Sequence, residues 1–492
     1  MSDPSAATER PSIELQSDVR PLTVPPTSDP LSASIAPLHL AHELAAAYVA
    51  EAHDRPVAPN RDALNALAGF DTPLPERSNA PSDTIALLDR LGSPATVAST
   101  GGRFFGLVVG GTLPAALGAR TLASAWDQVV FNEATSPVGV ALERIAARWT
   151  LDLLGLPSSA SVGFVTGATM ANVTCLAAAR QHLLARAGWD VNAKGLWGAP
   201  PLRFVAGAEI HVTVRKALTL LGMGTDAIET VPCDGNGALD ADALPELDER
   251  TIILLQAGNV NSGACDPIGA MCERAKGMGA WVHVDGAFGL WAAAAPRTRH
   301  LLEGFDAADS WVADGHKWLN TPYDCGIAIC RHPQALHEAM RTQAPYLKTD
   351  GGAADPRAVA PKDMVPEFSR SARGVEVWAA LHSLGREGVA DLIDRCCAHA
   401  RALADGLRGL GFEVLNEVVL NQVVATLPGR EDRTGDLAAR VQASGEAWFG
   451  PTNWRGRPGL RFSIASWATT DADIERTLAA IKAAMGDLGM GE

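Results

Sequence analysis

Apolar and polar positions change rhythm three times along this 492-residue chain. Residues 1–36 are rich in Pro, Ser, Thr and Asp without periodicity and read as a flexible or draped arm. Apolar residues then return at helical spacing through Leu38, Leu40, Leu44, Ala47 and Val49, and a short helix is predicted around Thr84–Leu91. From Phe104 the texture shifts. Ala/Leu-rich helical segments, Ala141–Leu154 and Met170–Ala187, alternate with short apolar runs at Arg203–Val205, Thr251–Leu255, Trp281–Val284, Ser310–Ala313 and Gly326–Cys330. Each run has strand length and is bounded by Gly, Asp or Pro. Strands alternating with helices predict an α/β fold with a parallel, doubly wound sheet, in which ligands bind beyond the carboxyl ends of the strands.

The third change comes at residues 345–372, where Gly351-Gly352, prolines and mixed charge predict a long loop. Beyond it, Val375–Leu384 and Val389–Leu410 read as helices, Phe412–Leu415, Val423–Leu427 and Leu460–Ile464 as strands, and Asp471–Met485 as a closing helix. The expected domains are therefore an N-terminal arm with a helical segment (1–100), a large domain (101–345), and a C-terminal α+β domain with its preceding loop (346–492).

Composition narrows the function. Hydrophobic residues make up 47 % and charged residues 20 %, which excludes collagen, coiled coil and complete disorder. The net charge of −15 disfavours nucleic acid and anionic membranes as partners. No apolar run is long enough to span a bilayer, and Met1-Ser2-Asp3-Pro4 opens no signal peptide. The eight cysteines form no CxxC pair and read as reduced thiols of a cytoplasmic protein.

Candidate chemistry gathers where the apolar runs end. Trp281–Val284 leads into Asp285-Gly286-Ala287, so Asp285 either meets a ligand or caps the next turn. Ser310–Ala313 breaks into Asp314-Gly315-His316-Lys317-Trp318. A lysine there is either a surface charge or, if desolvated, a Schiff-base nucleophile. His283, Asp285, Asp314 and His316 also allow a carboxylate–imidazole metal site, though no local spacing fixes a third ligand. In Gly163–Asn172, an apolar run meets Gly167 and Thr169 opens a helix, giving either an anion cradle or an ordinary N-cap. His211 could cover a flat ring or serve as a structural histidine, and the Gln256–Gly263 loop with Asn259 lets backbone approach a ligand or is simply polar. Taken together, an anion cradle, a histidine, an amide-rich loop, a carboxylate and a His-Lys pair suit pyridoxal 5′-phosphate (PLP), which needs a lysine imine, a phosphate site and a carboxylate at its ring nitrogen.

In Thr166-Gly-Ala-Thr169, His211, His283-Val-Asp285-Gly-Ala287 and His316-Lys317-Trp318, the chain resembles the group II PLP-dependent amino-acid decarboxylases, over about residues 100–490. The resemblance implies a fold-type-I architecture, a homodimer with the active site at the subunit interface, and decarboxylation of an L-amino acid, aromatic by family weight, to an amine and CO2. It implies Lys317 as the residue forming the internal aldimine and Asp285 at the pyridine nitrogen. It places His211 on the ring, Ala287 beneath it, and Ala168 and Thr169 at the phosphate. Asn259 would stand at the cofactor's side, where the family usually has Thr, and His316 near the phosphate and the substrate carboxylate. Arg373 and Gly374 would reach the partner's phosphate. Asp314 takes a position where Asn or Ser often serves the phosphate, and it is left outside the expected site. Phe104, Phe105 and Trp126 would wall an apolar pocket or belong to the core. The resemblance also exposes a departure: aromatic decarboxylases carry a loop tyrosine that protonates the carbanion. The matching stretch Thr349–Phe368 has none, and the chain's tyrosines are Tyr48, Tyr323 and Tyr346. Oxidative decarboxylation–deamination to an aldehyde, or transamination, is therefore an alternative outcome.

Overall fold

The structure, a computed structural model, describes residues 30–342 and 359–490. Two compact units are present, one ending at Tyr48 and resuming over Asp62–Ala95, the other holding Val49–Arg61 and the chain from Thr96 onward. The first unit is helical and includes the helix Pro81–Gly92. The helix Pro30–Glu51 starts inside the stretch expected to be an unstructured arm. Proline at a first helical position has its φ already set for the turn and gives up a donor that would be unpaired anyway.

The second unit is built on a seven-stranded sheet. Its strands are β1 (Ser161–Val165), β2 (Arg203–Gly207), β3 (Ile228–Val231), β4 (Thr251–Gln256), β5 (Trp281–Asp285), β6 (Ser310–Asp314) and β7 (Gly326–Cys330). They lie in the order β1-β7-β6-β5-β4-β2-β3. Only β7 runs against its neighbours, so β1 and β2 through β6 all point the same way. This is the mostly parallel, doubly wound sheet that the alternation of runs predicts. β1 and β3 were not among the expected strands. β1 contains Gly163, and β3 is the half-exposed edge run Ile-Glu-Thr-Val, so their strand character comes from pairing with β7 and β2.

β4, β5, β6 and β7 are buried along their whole length, as strands covered on both faces must be. Trp281, Trp291, Trp311 and Trp318 are each less than 2 % exposed. Burying one indole removes roughly 200 Å² from water, about 5 kcal/mol gross before entropy is charged. The apolar core forms two main clusters among the described residues, one with Trp291, Trp311 and Trp318 and one with Trp281, directly behind the strand ends that carry the candidate chemistry.

The C-terminal part forms a four-stranded antiparallel sheet of β8 (Glu413–Val414), β9 (Gln422–Thr426), β10 (Gly450–Trp454) and β11 (Arg457–Ser463), in the order β10-β11-β9-β8. β10, with Gly, Pro and Asn in five residues, has no strand signal of its own and exists through its ladder with β11. The helix Arg373–Gly409 breaks at Gly385, whose φ is 61°, between the two helices expected there. Of the expected loop 345–372, residues up to 358 lie outside the described residues. The part from Val359 onward forms a tight turn at Pro361–Asp363 and packs Val365 toward Gly163.

Candidate active site

Five strands, β1, β2, β4, β5 and β6, deliver their carboxyl ends to one edge of the sheet. The β6 end turns at once into the lysine segment. Asp314 is 1 % exposed, and its Oδ2 lies 3.0 Å from Lys317 Nζ and 3.6 Å from His316 Nε2. Its Oδ1 has no hydrogen-bond partner among the described residues. Asp314, left out of the expected site, thus stands in its centre. Local spacing hid this, because only the turn brings a residue three positions back against the lysine.

The turn is clamped by Asn320, fully buried in the left-handed region at φ 58°. Its Nδ2 faces the carbonyls of Lys317, Trp318 and Ala465 at 3.1, 2.9 and 2.8 Å. Its Oδ1 accepts from the amides of Gly111 and Trp467 at 2.9 and 2.8 Å. Gly110 allows this close approach, since a Cβ there would sit 1.9 Å from the Lys317 carbonyl oxygen. One side chain therefore ties the lysine turn to the segment before the first large-domain helix and to the end of the C-terminal sheet.

Asp285 ends β5 and is 5 % exposed. The capping reading of this carboxylate is seen directly. Oδ1 caps the turn by accepting from the Ala287 amide at 3.1 Å, and Oδ2 accepts from Asn172 Nδ2 at 3.0 Å. A carboxylate has about four acceptor positions, so capacity remains for a further donor. Asn172 Oδ1 lies 2.7 Å from His283 Nε2, and His283 Nδ1 lies 2.9 Å from Ser310 Oγ. Both ring nitrogens of His283 are thereby spent, which removes it from the imagined carboxylate–imidazole metal set. Burial pushes His283 down to about 4, so it stays neutral at ordinary pH.

His211 caps the helix Val212–Leu220, accepting the Thr213 amide at Nδ1. The Gln256 side chain accepts from its backbone amide at 3.1 Å and fixes its position. With Nδ1 accepting, the proton of the neutral ring sits on Nε2. Burial lowers its pKa, and the charges of Asp285, Lys317, Arg461 and Asp314 act on the ring, so these groups share one electrostatic neighbourhood. His316 likewise accepts at Nδ1 from the Cys325 amide at 3.0 Å and has its pKa lowered by burial. Its ring stacks on Tyr323 at 4.4 Å.

The helix Ala168–Arg186 follows β1, and no side chain caps its N-terminus. It opens at Ala168, one residue before the expected Thr169. Its first amides have no intrahelical acceptor and carry the positive end of the helix dipole. A Cβ on Gly167 would lie 3.3 Å from His316 Cε1, so the cradle and the His-Lys turn adjoin.

Other expected residues fall elsewhere or face other work. Asn259 is fully buried and spends Oδ1 on the amides of Asn261 and Ser262, shaping its own turn, with Nδ2 unpartnered among the described residues. Phe105 is 1 % exposed in the core, and Phe104 stacks on Trp448 at 4.8 Å. Trp126 is exposed. Arg373 pairs with Asp324 at 2.9 Å, and Gly374 packs against Glu143. Tyr346 lies outside the described residues. Sequence reasoning missed Asn172 and Asn320. Asn172 closes the Gly163–Asn172 run already singled out, and a buried amide inside a helix is the signal that would have found it.

The family model "pyridoxal-dependent decarboxylase conserved domain" matches residues 90–427. Tryptophan decarboxylase 1 of Oryza sativa subsp. japonica is 29 % identical over 470 residues, covering 87 % of this chain and 89 % of that protein. Cysteine sulfinic acid decarboxylase of Mus musculus is 29 % identical over 329 residues, covering 64 % and 65 %. Among solved structures, Oryza sativa TDC with PLP and tryptamine superposes with a TM-score of 0.83 at 26 % identity, covering 94 % of this chain and all of that one.

Proposed function

The chain belongs to the pyridoxal-dependent decarboxylase family and is a PLP-dependent amino-acid carboxy-lyase; we propose that it acts on an aromatic L-amino acid and carries the cofactor on Lys317. The observation that supports this site is the shared strand edge: a lysine beside a buried carboxylate, a second carboxylate with spare acceptor capacity, and an uncapped helix N-terminus. These residues fit the cofactor. The amides of Ala168 and Thr169 suit its phosphate, Asp285 its ring nitrogen, and His211 and Ala287 its two faces. His316 joins them beside Lys317, and Asn259 belongs to the same reading through the loop it shapes.

When bound, PLP supplies the sink for the electron pair released as CO2 leaves the substrate's Cα. Asp285 would hold a proton on the ring nitrogen. Asp314 positions the Lys317 amine. His316 Nε2–H, with the Tyr323 phenol stacked on the same ring, would supply a proton to the substrate carbon once the cofactor is held on Lys317. That favours return of a proton to Cα and an amine product. The tyrosine-free stretch 349–368 favours a second reading, in which O2 and water convert the amino acid to aldehyde, CO2, ammonia and H2O2. A homodimer and a cytoplasmic setting complete the proposal, and eight unpaired cysteines support a reducing compartment.

The test is an incubation of PLP-loaded protein with aromatic, acidic and basic amino acids, reading CO2, amine, aldehyde and peroxide together, with Lys317→Ala as control. CO2 with equimolar amine from an aromatic substrate is expected. Peroxide with aldehyde would transfer the protein to the second reading, and no CO2 from any of the amino acids would end the proposal.

A further inference from the structure

A line of hydrogen bonds crosses the sheet behind Asp285. Trp281 Nε1 lies 2.9 Å from Ser310 Oγ, Ser310 Oγ 2.9 Å from His283 Nδ1, His283 Nε2 2.7 Å from Asn172 Oδ1, and Asn172 Nδ2 3.0 Å from Asp285 Oδ2. Its two ends set its direction. An indole N–H can only donate, and a carboxylate can only accept. Asp285 requires the NH2 of Asn172, which turns the amide oxygen toward His283. That oxygen requires Nε2–H, and a neutral imidazole then presents Nδ1 as an acceptor. Ser310 fills it while receiving the Trp281 N–H. Each member passes one hydrogen forward, and the four polar members of the chain before Asp285 are all buried.

We infer that Asn172 and His283 are positioning residues: through this one-way chain they hold Asp285 as an oriented carboxylate whose hydrogen-bond partners are all neutral. The cofactor's ring nitrogen then meets a negative charge that no hydrogen-bonded cation has already compensated. A protonated His283 would break this arrangement by placing a positive charge one amide away. The burial that lowers its pKa supports the neutral state, with Asp285 pulling the other way. Cys175 and Asp309 nearby are tied off. Cys175 on the facing helix contacts the Trp311 and Ile329 carbonyls, and Asp309 before β6 accepts from the Val282 amide and pairs with His332. The functional half of the inference rests on the reading of Asp285 as the partner of the ring nitrogen.

Two measurements separate the chain from that reading. The first is ¹⁵N NMR of histidine-labelled protein without cofactor, with His283 assigned by its loss in His283→Gln. The expected result is a neutral Nε2–H tautomer that resists protonation until the pH falls toward 4. An Nδ1–H tautomer, or titration in the ordinary histidine range, overturns the inference whatever the enzyme does. The second compares Asn172→Val with the isosteric Asn172→Thr, whose single hydroxyl offers both an acceptor and a donor but reaches less far than the carboxamide. The valine variant should weaken PLP binding by roughly 10- to 100-fold, the worth of a hydrogen bond to a charged group, and shift the pH midpoint of the bound cofactor's visible absorption. The threonine variant should recover part of both. If valine and threonine match the parent in affinity and midpoint, the positioning role falls. If the parent itself binds no PLP, the reading of the site falls, and the NMR result judges the chain alone. Should Asn172→Val fail to fold, Ser310→Ala replaces it: Nδ1 of His283 then loses its donor, so its ¹⁵N shift must move while Nε2 keeps its proton, with a weaker affinity for PLP, and an unchanged spectrum refutes the chain.

Discussion

Replacing Asn320 probes the lysine turn without reference to any reaction. Its carboxamide has two N–H hydrogens and two good acceptor positions. Three carbonyls and two amides surround it, so at most four full hydrogen bonds form, two donated and two accepted. At a net worth of about 1 kcal/mol each, and with the backbone partners stranded in a buried site, Asn320→Ala loses about 4 kcal/mol. A non-glycine residue other than Asn or Asp in the left-handed region costs about 1–2 kcal/mol more, which brings the total to about 5–6 kcal/mol. Asn320→Gly avoids the second cost and should be the less damaged of the two, by about 1 kcal/mol. Asn320→Asp keeps the acceptor for Gly111 and Trp467 but sets a carboxylate against three carbonyls, and should be at least as damaging as the glycine. The assay is urea unfolding of the cofactor-free protein followed by fluorescence and circular dichroism, so that agreement of the two probes licenses a free energy. An alanine variant within about 1 kcal/mol of the parent would refute the clamp. An alanine variant more stable than the glycine would refute the backbone part of the reasoning.

Three further outcomes are expected. Asp314→Asn removes the charge 3.0 Å from Lys317 Nζ and should lower PLP retention and kcat by roughly 10- to 100-fold, measured by dialysis and steady-state CO2 release; full retention with unchanged kcat contradicts the assignment. His283, held to about 4 against an ordinary 6.5, contributes stability that is present above 6.5 and is lost as the pH falls from there toward 4. This is about 3 kcal/mol, and His283→Gln should show a visibly flatter acid limb in unfolding experiments. Arg370 grips the buried Glu143 with both terminal nitrogens, at 2.7 to 2.9 Å, and burial pushes Glu143 up to about 7. Arg370→Met should cost about 3–5 kcal/mol by stranding that acid, and adding Glu143→Leu should restore much of the loss; a double variant no better than the single one would show that the pair itself provides the stability.

Much of the site was legible because its residues sit where a local pattern stops. An apolar run that ends in Asp285, or in Asp314 through Lys317, announces a strand end with chemistry attached, and strand ends of a parallel sheet share one edge. Gly385 was readable in the same way, as the gap between two helical patterns. The edge strand β3 and the Gly/Pro-bearing β10 were not, because pairing with β2 and β11 makes them strands.

Local chemistry thus determined the alternation of elements, the lysine, the carboxylate at a strand end and the family to which both point. These are properties of short windows, where periodicity and turn chemistry act. Tertiary structure alone decided the partners. Asn172 meets Asp285 across 113 positions of sequence, and Asn320 meets Ala465 across 145. A hydrogen bond reaches about 3 Å, and its partner is whichever residue the packed core brings there. No spacing along the chain encodes that proximity.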